Sequence, residues 1–313
     1  MTDKQNQTWS SRSIASRWQH QFFYLAISLG GRRLAYVFTW PVVFYYMVLR
    51  PAIRKRTRHY LRRRFPEHKG LRAFQDSYRL SLSFARTLVD RATTGIVGPE
   101  SMKVKFESLD DFKELADQGK GMILMNAHVG CWQTAMSSIH MLQRPVNLLM
   151  KREQGDVDRH YHEYLQQEFP YRIIDPEGFL GGAVEIVQAL QRGEVVGVMG
   201  DRVFGNDKNI LEVDFLGEQA VFPVGAYKIA AITGAPVAVL FSHKTGPDSY
   251  ALELARVIRV NQGHGSSMEN LKPYVQEFVR VLEEYVRKHP YQFYNFHDMW
   301  AGRDNIIKKD NQV

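Results

Sequence analysis

Residues 122–133, with the sequence MILMNAHVGCWQ, are the most informative segment of the chain about its fold. Four apolar residues are followed by an asparagine, a histidine at 128 and a glycine at 130, a pattern that predicts a buried strand ending in a loop. Ligands and catalytic groups collect at such strand ends in α/β sheets. His128 is therefore the first candidate, because an imidazole can take a proton from a hydroxyl near neutral pH.

Short apolar runs and helical stretches alternate outward from this segment. Further apolar runs lie at 146–150, 171–174, 195–199, 237–241 and 250–260, and helical patterns at 132–142, 159–169, 182–192 and 225–233. Amphipathic helices are predicted at 73–96 and 271–288. The alternation predicts an α/β fold, with a mixed, largely parallel sheet flanked by helices.

Composition narrows the class of protein. The chain has 313 residues, 44% hydrophobic and 24% charged, which excludes a collagen-like or wholly disordered protein. Its single cysteine, Cys131, excludes an internal disulfide framework and a multi-cysteine zinc site. A reducing environment fits this cysteine usage.

The positive charge belongs to the N-terminal quarter. Residues 1–72 carry a net charge of +13, and the remainder carries −5. A protein that coats nucleic acid would not usually divide its charge in this way, so no nucleic-acid partner is expected.

The N-terminal quarter is predicted to attach to a membrane. The uncharged run 34–49 has 16 residues, is rich in aromatic rings and contains Pro41, whereas a helical span needs about 20. Eight basic residues follow between Arg50 and Arg64, and apolar anchoring plus a polybasic stretch supplies two membrane signals. We expect 1–72 to be a membrane-attachment segment, spanning or interfacial, and 73–313 the catalytic domain. An aromatic core helix beside a solvated basic helix is the alternative.

Residues 126–133 resemble the first block of the lysophospholipid acyltransferase superfamily. The likeness is strongest to the bacterial branch of late acyltransferases (lauroyl and myristoyl transferases) of lipid A biosynthesis, where His128 and Trp132 match that branch's histidine and tryptophan. Further segments resemble its later blocks in order: 148–152, 190–193, 196–202, 215–217, 222–226, 233–237 and 290–296. Each block alone is weak, but the ordered set over about 120–300 is fairly specific.

The resemblance implies a glycerolipid acyltransferase-like fold and a membrane-bound transferase. It implies transfer of a fatty acyl group from an acyl-carrier-protein or coenzyme A thioester to a hydroxyl (or amine) of a lipid or glycolipid. Lipid A and lipopolysaccharide biosynthesis at the cytoplasmic face of the bacterial inner membrane is the implied setting. No metal and no cofactor are implied.

Gln133 departs from the family pattern at its centre. The family has an acidic residue five positions after the histidine, which orients the imidazole and stabilises the imidazolium. A glutamine can accept the ring N–H but cannot supply the countercharge. Three hypotheses follow: Gln133 suffices, a carboxylate such as Asp201 approaches His128 instead, or catalysis is lost and the protein only binds lipid or acyl chains.

The remaining candidates would surround the histidine. Lys151, Arg152 and Arg202 are expected to neutralise the acceptor or the developing oxyanion. Ordinary surface charge explains Lys151 and Arg202 equally well, and it explains Arg152 somewhat better. Phe222 and Pro223 are expected to shape the floor of the pocket.

Overall fold

The computed structural model describes residues 17–133, 144–151, 171–203, 209–265 and 267–302. The helices among them are α1 (Arg17–Leu49), α2 (Pro51–Arg64), α3 (Gly70–Val97), α4 (Leu109–Asp117), α5 (Ala183–Gln191), α6 (Gly225–Thr233) and α7 (Met268–Lys288). The strands are β1 (Lys103–Phe106), β2 (Met122–Asn126), β3 (Val146–Leu149), β4 (Tyr171–Ile174), β5 (Val195–Met199), β6 (Ile210–Phe215), β7 (Glu218–Pro223), β8 (Val237–Lys244) and β9 (Ser249–Ile258).

Seven strands form the main sheet in the order β1-β9-β8-β2-β5-β3-β4. Every neighbouring pair is parallel except β8 and β9. The central strand β2 is buried along its whole length, which is why its first four residues are continuously apolar rather than alternating. The mixed, largely parallel α/β sheet predicted from the sequence is confirmed.

Hydrophobic side chains cover both faces of the sheet. The larger core includes α7, whose Phe278 and Tyr285 pack edge-on against Phe241 of β8 with ring centroids 6.2 and 5.3 Å away. On the opposite face α4 contributes Phe112 and Leu115. Full burial of each large apolar side chain stabilises the fold by about 1.5–3 kcal/mol. The strands are therefore held rigidly, and the residues that follow their ends are well positioned.

Two parts of the fold were not predicted from the sequence. Strand β1 and helix α4 lie where no element was expected, and the segment before α6, which resembled a family loop, forms the antiparallel hairpin β6–β7. Its turn residues Leu216 and Gly217 have φ of 54° and 82°, as a two-residue hairpin turn requires. Of the predicted helix at 132–142 only Trp132 and Gln133 are described, and the helix at 159–169 lies outside the described residues.

The N-terminal helices pack together beside the sheet. Helix α1 contacts α3 through a small cluster that includes Ala26, Ile27, Ala35 and Val89. It is interrupted at Gly31 (φ 64°, ψ −167°), and its two arms fold back on each other, so that the rings of Phe22 and Phe38 lie 4.8 Å apart. Both arms leave large apolar side chains exposed: Trp18, Leu25, Leu29, Val37, Trp40, Phe44, Tyr45, Val48 and Leu49. None of the helices formed by the described residues combines the length and the hydropathy needed to cross a membrane. Membrane attachment of 1–72 stays a prediction.

Candidate active site

The register of two central strands brings His128 and Asp201 together. In the parallel pair β2–β5, Asn126 lies opposite Met199, and both strands end there. His128 and Asp201 each follow two residues later. Because parallel strands share a carboxyl edge, the two residues meet beyond it although 73 positions separate them in the chain.

The His128 imidazole is held by the Asp201 carboxylate. Nδ1 of His128 lies 2.8 Å from Oδ1 of Asp201, and the backbone N–H of His128 donates to Oδ2 at 3.0 Å. An ionised carboxylate only accepts, so the ring carries its proton on Nδ1 and its Nε2 is left as a base. The Asp201 side chain is fully buried, whereas that of His128 is 22% exposed. Solvent can therefore reach the ring but not the carboxylate.

The surroundings favour a neutral imidazole beside an ionised carboxylate. Burial, followed by the charge of Arg202, holds the pKa of His128 below its usual value, against the opposing effect of Asp201. Burial acts to raise the pKa of Asp201, but the interactions with His128 and Arg202 outweigh it and the pKa lies below the usual value. Burial lowers the pKa of Arg202 to about 10, so its guanidinium stays protonated at neutral pH.

The C-terminal segment 292–295 fixes the backbone of both residues. The N–H of Tyr294 donates to the carbonyl of His128 at 2.6 Å. The Asn295 side-chain amide donates to the backbone carbonyl of Asp201, also at 2.6 Å. The segment was singled out only because it resembled a family ending, and its role in bracing the two residues was missed, since no local pattern shows which strand ends it crosses.

Gly130 allows the loop after His128 to pass close to a neighbouring strand. Its φ is 54°, in the left-handed region, and a Cβ there would lie 2.0 Å from the backbone oxygen of Ser242. Its N–H donates to the carbonyl of Gln292 at 2.9 Å. The next N–H, that of Cys131, donates to Oγ of Ser242, also at 2.9 Å. Only glycine fits this position.

Gln133 points to a different set of partners. In the amide orientation that satisfies its neighbours, its oxygen accepts from Nε1 of Trp132 at 3.0 Å and from Nη2 of Arg91 at 3.2 Å. The ring hydrogen bonds of His128 go to Asp201. Of the three hypotheses about the missing acid, this geometry corresponds to the one in which Asp201 approaches His128.

The basic candidates differ in their surroundings. Arg202 is buried next to the His128–Asp201 pair. Lys151 follows β3 by two residues, at the same carboxyl edge, and its partly exposed Nζ lies 2.5 Å from a carboxylate oxygen of Glu177. Arg152 falls outside the described residues.

The two residues expected at the pocket floor lie in the hairpin. Phe222 is fully buried and packs edge-on against Phe215 and Phe278, with ring centroids 5.7 and 6.3 Å away. Pro223 ends β7 opposite Ile210. Their contact with a substrate stays a prediction. Within the described ranges no three His, Cys, Asp or Glu side chains are grouped in a way that could hold a metal ion.

Comparison with known proteins agrees with the sequence resemblance. The model of the family described as bacterial lipid A biosynthesis acyltransferase matches residues 18–301. No curated protein matches the chain. Among solved structures, the chain is similar to the 1-acyl-sn-glycerophosphate (LPA) acyltransferase PlsC from Thermotoga maritima. That chain is 16% identical, and the match covers 82% of this chain and 98% of that one at a TM-score of 0.35. Because the family model covers most of its length, the chain belongs to the bacterial lipid A biosynthesis acyltransferases and is an acyltransferase.

Proposed function

We propose that the protein transfers a fatty acyl group from an acyl-carrier-protein or coenzyme A thioester to a hydroxyl, or an amine, of a lipid or glycolipid. The proposed setting is lipid A or lipopolysaccharide biosynthesis at the cytoplasmic face of a bacterial inner membrane. The single observation that carries the proposal is the 2.8 Å contact between a partly exposed imidazole and a fully buried carboxylate. Through this contact Asp201 supplies the carboxylate that position 133 lacks, so that His128 can act as a general base.

His128 is the proposed general base, and Asp201 takes the place of the family's acid. Nε2 of His128 removes the proton from the acceptor hydroxyl, whose oxygen attacks the thioester carbonyl. As the tetrahedral intermediate collapses, the new C–O bond remains, the C–S bond breaks, and the imidazolium returns its proton to the leaving thiolate. Asp201 holds the ring and stabilises the imidazolium in between. Gln133 serves in this proposal as a buried structural residue that holds Trp132 and Arg91.

Basic groups would balance the negative charge that develops. Arg202 is the proposed partner of the oxyanion or of an acceptor phosphate, because a buried guanidinium interacts more strongly than an exposed one. Lys151 and Arg152 are proposed to contact the acceptor at the edge of the site. Phe222 and Pro223 are proposed to shape its floor.

The N-terminal helices are proposed to hold the site at the membrane. Exposed aromatic side chains on α1, among them Trp40, Phe44 and Tyr45, suit the headgroup region of a bilayer. Arg50, Lys55 and Arg58 follow closely and are exposed, and each can gain roughly 1 kcal/mol near an anionic leaflet.

The test is a labelled-product assay with purified protein in detergent. Acyl-carrier-protein and coenzyme A thioesters of several chain lengths are supplied in separate reactions with a bacterial lipid extract. Wild type is compared with His128→Ala, whose rate should fall about 10²- to 10⁴-fold. A melting temperature close to that of wild type shows that the variant is folded, and mass analysis of the product names the acceptor.

Each outcome separates this function from the alternatives. Labelled lipid from wild type and not from His128→Ala supports the proposal. Equal product from both overturns the assigned base. Free fatty acid as the only product indicates that water is the acceptor. Absence of product with all donors and lipids overturns the proposal in favour of a lipid- or acyl-chain-binding homologue.

A further inference from the structure

A short turn after β4 exposes two large apolar side chains to solvent. Phe179 and Leu180, within the turn Phe179–Gly182, are 78% and 69% exposed. Leu180 has φ 51° and ψ 33°, and Gly181 and Gly182 are also left-handed, with φ of 66° and 74°. A leucine rarely adopts this conformation. Both its backbone and its side chain are therefore in states that the isolated protein disfavours, which is typical of a functional contact.

The turn lies at the same edge of the sheet as the candidate site. Strands β2, β5, β3 and β4 are neighbours in that order and all run parallel. Their carboxyl ends therefore carry His128, Asp201, Lys151 and the turn along one edge. The turn follows a strand only two spacings from β5, roughly 10 Å along the sheet.

Helix α1 is docked at this edge on the other side of the site. Lys244 ends β8, which neighbours β2 and runs parallel to it. Its Nζ lies 2.5 Å from the buried carboxylate of Asp90 on α3. The same carboxylate accepts from Oη of Tyr36 on α1 at 2.5 Å and lies 2.9 Å from Nε of Arg32. The part of α1 that carries Arg32 and Tyr36 and the turn thus lie on opposite sides of the His128–Asp201 pair. The strands beside them, β8 and β4, are four strand spacings or roughly 19 Å apart.

Charge beside the apolar surface of α1 identifies the partner. Arg50, Lys55 and Arg58 are exposed directly after the apolar residues of α1. An apolar surface bordered by cations fits an anionic lipid bilayer, into which the rings enter while the cations meet the headgroups. A protein partner would need a matching apolar surface for two separate sites, whereas one bilayer surface meets both.

We propose that the turn Phe179–Gly182 is a second membrane contact, which together with α1 places the carboxyl edge of the sheet against an anionic bilayer. The inference rests on the proposed function, because a lipid acceptor must leave the bilayer to reach His128. Two contacts on opposite sides of the site fix its orientation, which one helical anchor alone does not do.

The first test measures local insertion. Phe179→Cys carries an environment-sensitive fluorophore, and Ile232→Cys is the matched control, because Ile232 is 66% exposed near the end of α6, which leads to the amino end of β8 at the opposite edge. The native Cys131 is buried. With vesicles of phosphatidylcholine and phosphatidylglycerol, the fluorophore at 179 should shift to shorter wavelength and that at 232 should not. Equal shifts at both positions, or none at 179, would overturn the proposal, as would a shift at 179 that appears without vesicles as protein concentration rises.

The second test separates membrane contact from structural support. Leu180→Gly removes the apolar side chain and suits the left-handed backbone, so its melting temperature should be equal to or higher than that of wild type. Its affinity for the anionic vesicles should fall about tenfold. A lower melting temperature with unchanged vesicle affinity would contradict the proposal, because the side chain would then be structural.

Activity distinguishes failure of this inference from failure of the proposed function. Transfer to an acceptor in vesicles should fall in Leu180→Gly in proportion to binding, and transfer to an acceptor dissolved in detergent should not change. Equal activity of the variant and wild type on vesicles would overturn the membrane contact while leaving acyl transfer established. Absence of detergent activity in wild type would overturn the proposed function instead.

Discussion

The imidazole of His128 meets the carboxylate of Asp201 because each residue stands two positions beyond a register pair of adjacent parallel strands. That pair is Asn126 and Met199, and the amide of Gly200 donates to the Asn126 carbonyl at 2.7 Å, extending the pairing to the point where the chains diverge. Strand register thus sets the 2.8 Å contact between Nδ1 and Oδ1.

Replacing Asp201 should damage catalysis far more than restoring the family's acid at position 133. Asp201→Asn removes the countercharge and can turn the ring to the wrong tautomer, so kcat should fall by about 10³- to 10⁴-fold. Gln133→Glu should change kcat by less than about tenfold. The new carboxylate would contact Trp132 and Arg91 rather than the His128 ring. Steady-state kinetics measure both, with melting temperatures as the control for folding. A large gain of activity in Gln133→Glu would contradict the assignment of Asp201.

The pH profile should reflect the lowered pKa of His128. Since the base must be neutral, kcat/KM should fall as pH falls through a pKa below the ordinary value of 6.5. Removing the charge of Arg202 makes protonation of the ring easier, so Arg202→Gln should move this acidic limb to higher pH. Arg202→Lys keeps the charge and serves as the matched control. Because Arg202 is also a proposed substrate contact, the midpoint is compared rather than the maximal rate, and an unmoved midpoint in Arg202→Gln would refute the prediction.

Stability should fall between pH 6.5 and 4 partly because of His289. Its ring stacks on His243 with centroids 4.2 Å apart, and burial, then His243 and Lys288, lower its pKa from 6.5 to about 4. The unfolded chain therefore binds the proton more readily, and the stabilising contribution present above pH 6.5 is lost as pH falls through about 4. In His289→Gln the melting temperature should depend less on pH over this window. The dependence that remains should come from His128, whose pKa is also lowered. An unchanged slope would show that His289 does not contribute.

The buried carboxylate of Asp90 should be essential for joining α1 to the sheet. It is fully buried and is contacted by Lys244 at 2.5 Å and by Oη of Tyr250 at 2.7 Å. Asp90→Asn leaves the lysine charge without its counterion and should destabilise the fold by about 3–5 kcal/mol, measured by chemical denaturation.

A double variant tests this coupling. Asp90→Asn combined with Lys244→Met removes the two charges of this pair and leaves only that of Arg32, so its loss should be smaller than the sum of the two single losses. Strictly additive losses would mean that the two residues stabilise the fold independently.

Much of the fold follows from local patterns, and the exceptions have physical causes. Continuous apolar runs predicted β2 and β5 because both faces of a central parallel strand are buried. Strand β1, with the sequence Lys-Val-Lys-Phe, was missed because it is a short edge strand with alternating exposed residues. The β6–β7 hairpin was missed because its turn is Leu216-Gly217 rather than a strong turn pair such as Asn-Gly.

Sequence patterns alone were enough to predict the strand that presents His128, to recognise the family that the chain resembles and to show that no acid stands five positions after the histidine. Those are local properties, since apolar periodicity and short motifs need no knowledge of distant contacts. The identity of the side chain that holds the imidazole depends on a contact between distant parts of the chain, which no local pattern shows. Local spacing pointed to Gln133, whose amide instead contacts Trp132 and Arg91. Asp201, 73 residues away, reaches the ring because hydrogen bonding between β2 and β5 sets their register and burial keeps its carboxylate from water.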